Sequence, residues 1–139
     1  MNTREKLISR MPIGWLPFIE CGAGWDRILD EVEERLNYLD PNYEVQQVKE
    51  KYGTLRFYCT PTTGGLVQDI MDDVVRMAEY WSARTCELCG NSSGRGGGST
   101  KFDFTVGTKN RNGWYKTLCN TCAEKQGYPL AEDDDEDTI

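Results

Sequence analysis

Two Cys-x-x-Cys pairs constrain this 139-residue chain more than any other feature. They are Cys86-Glu-Leu-Cys89, followed directly by Gly90, and Cys119-Asn-Thr-Cys122, with 29 residues between them. A two-residue spacer lets both sulfurs of a pair turn toward one point, and two such knuckles surround a tetrahedral ion with four thiolates. Gly90 supplies the positive backbone angle that a tight turn favours. Four thiolates close the coordination sphere and leave no position for water. The cofactor expected is therefore one structural Zn2+ on Cys86, Cys89, Cys119 and Cys122, not a Lewis acid acting on substrate. Redox-active pairs and an iron centre are the other uses of such thiols. The gap between the knuckles exceeds the roughly 15 to 20 residues usual for this pattern, and the Gly/Ser-rich stretch Asn91 to Thr100 accounts for the excess.

The chain contains no histidine. This removes Ser-His-Asp and Cys-His nucleophile activation, HExxH sites and every imidazole metal site. A cytidine-deaminase-like zinc site is excluded too, because its His-x-Glu pair is missing. No short motif pairs a nucleophile with a carboxylate, Lys, Tyr or Cys base, so the chain reads as a non-enzyme. Met1 to Arg10 is charged, and the apolar run Met11 to Ile19 is short and broken by Pro12, Gly14 and Pro17. Neither a signal peptide nor a membrane span is expected, and the expected compartment is the cytoplasm. In that reducing setting the knuckle cysteines are metal ligands, and Cys21 and Cys59 are buried thiols.

Hydrophobic spacing supplies the rest of the fold. Thr3 to Arg10 forms a short helix capped by Asn2 or Thr3, and Met11 to Gly24 an irregular strap that packs Trp15, Leu16, Phe18 and Ile19 on the core. Trp25, Ile28, Leu29, Val32, Leu36 and Leu39 follow one face of a helix ended by Pro41. Tyr43 to Lys49 and Thr54 to Cys59 read as a hairpin joined through Glu50 to Gly53, with Leu55, Phe57 and Cys59 on one face and Arg56 and Tyr58 on the other. Leu66 to Arg84 returns to helical spacing, and its stripe Val67, Ile70, Met71, Val74, Met77, Ala78 and Trp81 is expected to be core. Asp72 and Asp73 belong to the solvated face. The fold class is α+β: a small antiparallel sheet packed by two main helices, followed by a four-cysteine zinc ribbon. The expected units are an α+β domain over 1–84, the ribbon with its loop over 85–125, and an acidic disordered tail over 126–139.

Charge is unevenly distributed behind a net −7. Residues 84–125 hold 7 basic against 3 acidic side chains, whereas Glu132 to Asp137 is six acids in a row. Between the knuckles two alternating segments flank the basic turn 109–113. Lys109, Arg111, Trp114 and Lys116 there form a candidate nucleic-acid surface. A zinc tetrathiolate carries about −2, which weakens that surface. The tail is a solubilising segment or an intramolecular screen over the ribbon.

The order Gly22 to Trp25, Lys49-Glu-Lys-Tyr-Gly-Thr-Leu-Arg-Phe-Tyr58, Thr85-Cys-Glu-Leu-Cys-Gly90, Thr117-Leu-Cys-Asn-Thr-Cys122 resembles small, largely uncharacterised bacteriophage and prophage proteins. It spans Cys21 to Cys122; the Gly/Ser insert and the tail depart from it. The resemblance implies an accessory protein in the host cytoplasm that modulates or inhibits a host protein, including a host-defence component. Two alternatives remain open. Lys49, Lys51 and Arg56 with Tyr52 or Tyr58 can hold the phosphates and base of a signalling nucleotide; otherwise Arg56 pairs with an acidic helix and the turn is merely solvated. The ribbon surface can instead bind nucleic acid. No membrane partner is expected.

Overall fold

A computed structural model describes residues 1–12, 14, 17–91, 104–109 and 115–128. Helix α1 (Thr3–Ser9) opens with a capping box: the Asn2 side chain accepts from Glu5 N–H, and the Glu5 carboxylate accepts from Asn2 N–H. A 3-10 turn, Ala23–Trp25, leads into α2 (Asp26–Leu39), whose stripe buries Ile28, Leu29, Val32 and Leu36. Strands β1 (Glu44–Lys51) and β2 (Thr54–Thr60) pair antiparallel, with Val48 opposite Phe57 and Lys49 opposite Arg56. They turn through Tyr52 and Gly53, with φ of 56° and 83°. Positive φ at both central residues marks the I′ hairpin, whose twist matches that of the strands.

Val45, Val48, Leu55 and Phe57 face the main core with Leu7, Trp25, Tyr43, Met71 and the α2 stripe. Each sheet edge is met at one place by another part of the chain. Glu20 bridges β1 in parallel, giving its N–H to Val48 O and accepting from Glu50 N–H, and Ser82 Oγ accepts from Leu55 N–H on β2. A buried polar group fastens α1 to this core: Arg10 makes two bonds to Glu33, which also accepts from the Tyr43 hydroxyl at 2.7 Å. Burial and the Glu33 carboxylate raise the Tyr43 phenol well above its usual range.

Helix α3 (Gly65–Ser82) runs antiparallel to α2, with Ile70 near Tyr38 and Leu39, and Met77 and Trp81 near Val32. Its stripe is only partly core. Met71, Ala78 and Ser82 are buried and Val67 and Val74 partly so, whereas Ile70, Met77 and Trp81 are exposed. The stripe is wider than one neighbour can cover, and α2 and the sheet take only its inner half. Phe18, expected on the core, is exposed; Ile19 packs as expected, and Trp15 and Leu16 lie outside the described residues.

The C-terminal part is a second antiparallel hairpin, β3 (Phe104–Lys109) with β4 (Tyr115–Cys119), followed by α4 (Asn120–Gln126), a helix absent from the sequence reading. Gly127 ends α4 in the left-handed conformation, and Tyr128 packs against the buried cluster of Cys86, Leu118, Cys119 and Ala123. The Gly/Ser stretch from residue 92 and the acidic run Glu132 to Asp137 lie outside the described residues. Together these elements make a mixed α+β fold that carries a C-terminal four-cysteine cluster. Among the described residues no helix is long and apolar enough to cross a membrane.

Candidate metal centre

Cys86 and Cys89 sit on the turn after α3, Cys119 ends β4, and Cys122 lies in the first turn of α4. Helix entry places the side chains of the cap residue and the third residue on the same side, so Cys119 and Cys122 converge. In the first knuckle Gly90 N–H donates to Cys86 O at 2.9 Å, with Gly90 at φ +84° as its turn requires.

The four sulfurs lie within 4.8 Å of one another, and Cys89 Sγ is 3.6 Å from Cys119 Sγ. Tetrahedral ligation at about 2.3 Å sets sulfurs about 3.8 Å apart, so the donor set fits zinc. All six cysteines are free thiols. Cys86 is fully buried, and burial opposes its charge, yet the backbone N–H groups of Cys119, Cys89 and Leu88 donate to it and hold its pKa below the usual thiol value. Burial and then the neighbouring sulfurs push Cys89 and Cys122 upward. Four thiols this close cannot all ionise unaided; a divalent cation is the species that reverses the balance.

The knuckle is seated backbone against backbone. Gly24 N–H donates to Glu87 O at 2.7 Å, Gly22 N–H to the Glu87 carboxylate at 2.9 Å, and the buried Trp25 Nε1 to Thr85 O at 2.8 Å. A Cβ on Gly24 would stand 2.2 Å from Cys86 O, and one on Gly22 2.5 Å from Glu87 O. Only glycine permits such approach. The Tyr52–Gly53 turn supplies a second seat: Thr117 Oγ1 donates to Gly53 O at 2.6 Å, and Glu50 accepts from Gly53 N–H. Lys116 Nζ reaches Glu50 at 3.1 Å and Glu87 at 3.2 Å. Burial disfavours its charge, but these two carboxylates more than compensate and raise its pKa. Glu87 N–H closes the ring by donating to Thr117 O.

Glu50, Gly53, Gly22, Gly24, Trp25, Thr85, Glu87 and Thr117 thus form the joint between the two halves, a role the sequence reading missed. The signal was present in the Gly22-x-Gly24-Trp25 spacing, but its partner lies more than 60 residues away.

Of the proposed ligand-binding residues, Lys49, Lys51, Arg56 and Tyr58 share the outward side of the sheet, with Tyr52 exposed at its turn. Arg56 Nη1 lies 3.8 Å from Glu79 on α3, the pairing the structural alternative expected, and its Nε is buried without a partner among the described residues. Of the nucleic-acid candidates, Lys116 is held within the joint, Lys109 contributes backbone to β3 opposite Tyr115, and Arg111 and Trp114 lie outside the described residues. Cys21 and Cys59 are half-buried against the main core, and burial lifts each thiol to about 11. The class defined by fold and site is an α+β protein with a four-cysteine, metal-type centre. No family model, curated protein or solved structure matches this chain.

Proposed function

We propose that the chain is a non-enzymatic protein braced by one structural zinc, and that it acts by binding another protein. The motif order supports a phage-type accessory protein acting in the host cytoplasm, with a host protein, including a defence component, as its target. Zinc is the metal proposed because four converging cysteine sulfurs are its usual structural donor set, and within this joint of buried hydrogen bonds the ion would hold the two halves together.

The observation that carries the binding role is the outer half of the α3 stripe, where Ile70, Met77 and Trp81 are exposed on an 18-residue helix. Contiguous exposed apolar surface marks an interaction site. The runner-up, sequestering of a nucleotide on the outward sheet face, draws on the grouping of Lys49, Lys51 and Tyr58 around Arg56.

Site-specific photo-cross-linking in bacterial cells separates the two. A cross-linker at position 77 is expected to give a discrete protein adduct, one at position 58 none, and a panel of nucleotides is expected to leave the melting temperature unchanged. Adducts only from position 58, or stabilisation by a nucleotide that Arg56→Ala abolishes, would move the function to the sheet face.

A further inference from the structure

The groove between α2 and α3 is an apolar feature used by neither the core nor the cysteine cluster. Near the α2 C-terminus it holds a cavity of about 660 Å³ lined by Tyr38, Leu39, Ile70 and Val74. It continues past Val74 into a cavity of about 290 Å³ lined by Val32, Met77 and Trp81. From Ile70 to Trp81 it extends about 16 Å at 1.5 Å per residue, three turns of helix. Large side chains stand open along it: Tyr38 is 87% exposed and Met77 71%.

Its banks are acidic. Glu31 and Glu34 lie on the α2 side with Arg35, which is ion-paired to Glu31. On α3, Asp73 falls three residues after Ile70 and four before Met77, and Arg76 is ion-paired to it. Three carboxylates thus flank the groove against two guanidiniums, each already paired with one of the three. A second copy of the chain would bring like-charged banks together, which costs rather than gains.

Resting on the protein-binding reading above, we propose that the α2–α3 groove takes one amphipathic helix of a partner protein, its apolar stripe on Ile70, Val74, Met77 and Trp81 and its flanks rich in Lys and Arg. A linear groove between antiparallel helices accepts a third helix by apolar anchors at i, i+3, i+4 and i+7, and the banks choose the sign of its flanks.

Three synthetic 18-residue peptides test this by fluorescence anisotropy on the zinc-loaded full chain: a Leu-striped helix with Lys/Arg flanks, the same stripe with Glu flanks, and a scramble of the first. The basic peptide is expected to bind at least tenfold tighter than the other two, with the advantage shrinking as salt rises. Met77→Glu is expected to weaken it at least tenfold at an unchanged melting temperature. The exposed double change Glu34→Lys with Asp73→Lys is expected to invert the preference for flank charge.

Equal binding of both striped peptides, no binding by any, or insensitivity to Met77→Glu would overturn the proposal. So would a concentration-dependent dimer that Met77→Glu dissolves, since the occupant would then be a second copy. A position-77 adduct to a protein segment that is not a basic helix would overturn this inference and leave the broader protein-binding reading standing.

Discussion

Replacing Gly24 by Ala adds one methyl group at the tightest contact in the joint. The new Cβ would stand 2.2 Å from Cys86 O and 2.5 Å from both the carbonyl carbon and oxygen of Glu87, all backbone atoms that cannot swing aside like a side-chain tip. The knuckle must therefore retreat by about 1 Å to reach ordinary contact. Overpacking of this kind costs about 1 to 3 kcal/mol. The retreat also stretches the Gly24 N–H bond to Glu87 O, now 2.7 Å, which is worth about 1 kcal/mol. A total of about 3 kcal/mol, at an unfolding entropy near 0.3 kcal/mol/K for a chain of this length, lowers the melting temperature by roughly 10 °C. Because the displaced carbonyl belongs to a metal ligand, zinc affinity should fall by up to about a hundredfold. Differential scanning calorimetry and competition with a zinc-binding dye measure the two effects, with Ala23→Ser, an exposed neighbour, as control. A Gly24→Ala protein that melts within about 2 °C of the parent and holds zinc equally well would refute the idea that this glycine seats the knuckle.

Tyr43→Phe removes the hydroxyl that donates to the buried Glu33 carboxylate, and urea titration should show a loss of about 2 kcal/mol. Asp40 is buried, which disfavours its charge, but donation from the Thr62 hydroxyl and backbone and from the N–H groups of Asn42 and Thr63 prevails and holds its pKa below the usual value. Its contribution is therefore present above the unfolded carboxylate pKa and lost as pH falls through the depressed folded value, so the stability gap between parent and Asp40→Asn should close in melts taken from pH 6 down to pH 2. Tyr52 occupies the left-handed region at φ 56° on an exposed turn, so Tyr52→Asn should stabilise the hairpin by about 1 kcal/mol, and a drop in melting temperature would show that the ring makes a contact worth more than its strain.

The metal centre was legible because it is written locally. Two short spacers and a following glycine mark the four sulfurs without reference to the rest of the chain, although the fold is what brings the pairs together, and α2 was equally plain because a single apolar stripe faces a single core. The α3 stripe misled for a physical reason: periodicity reports the width of an apolar face but not how much of it a neighbour covers, and here Met77 and Ile70 are left outside while Met71 and Ala78 are not. The joint was harder still, since its bonds run from Gly22 and Gly24 to Glu87 and from Gly53 to Thr117, across sequence distances that leave no local pattern. Lys116 shows the same limit. Its place in a basic strand suggested an anion partner from outside, whereas the fold supplies two carboxylates from within.

Metal quantitation by native mass spectrometry, paired with a denatured mass of the same freshly purified sample, bears most directly on the central claim that four cysteines brace the two halves through one zinc. One zinc per chain, all six thiols reduced in the denatured mass, and a cooperative fall in melting temperature when a chelator strips the ion are the expected results. A metal-free chain whose denatured mass is lower by the four hydrogens of two disulfides, or one that loses its zinc without any loss of stability, would contradict that claim.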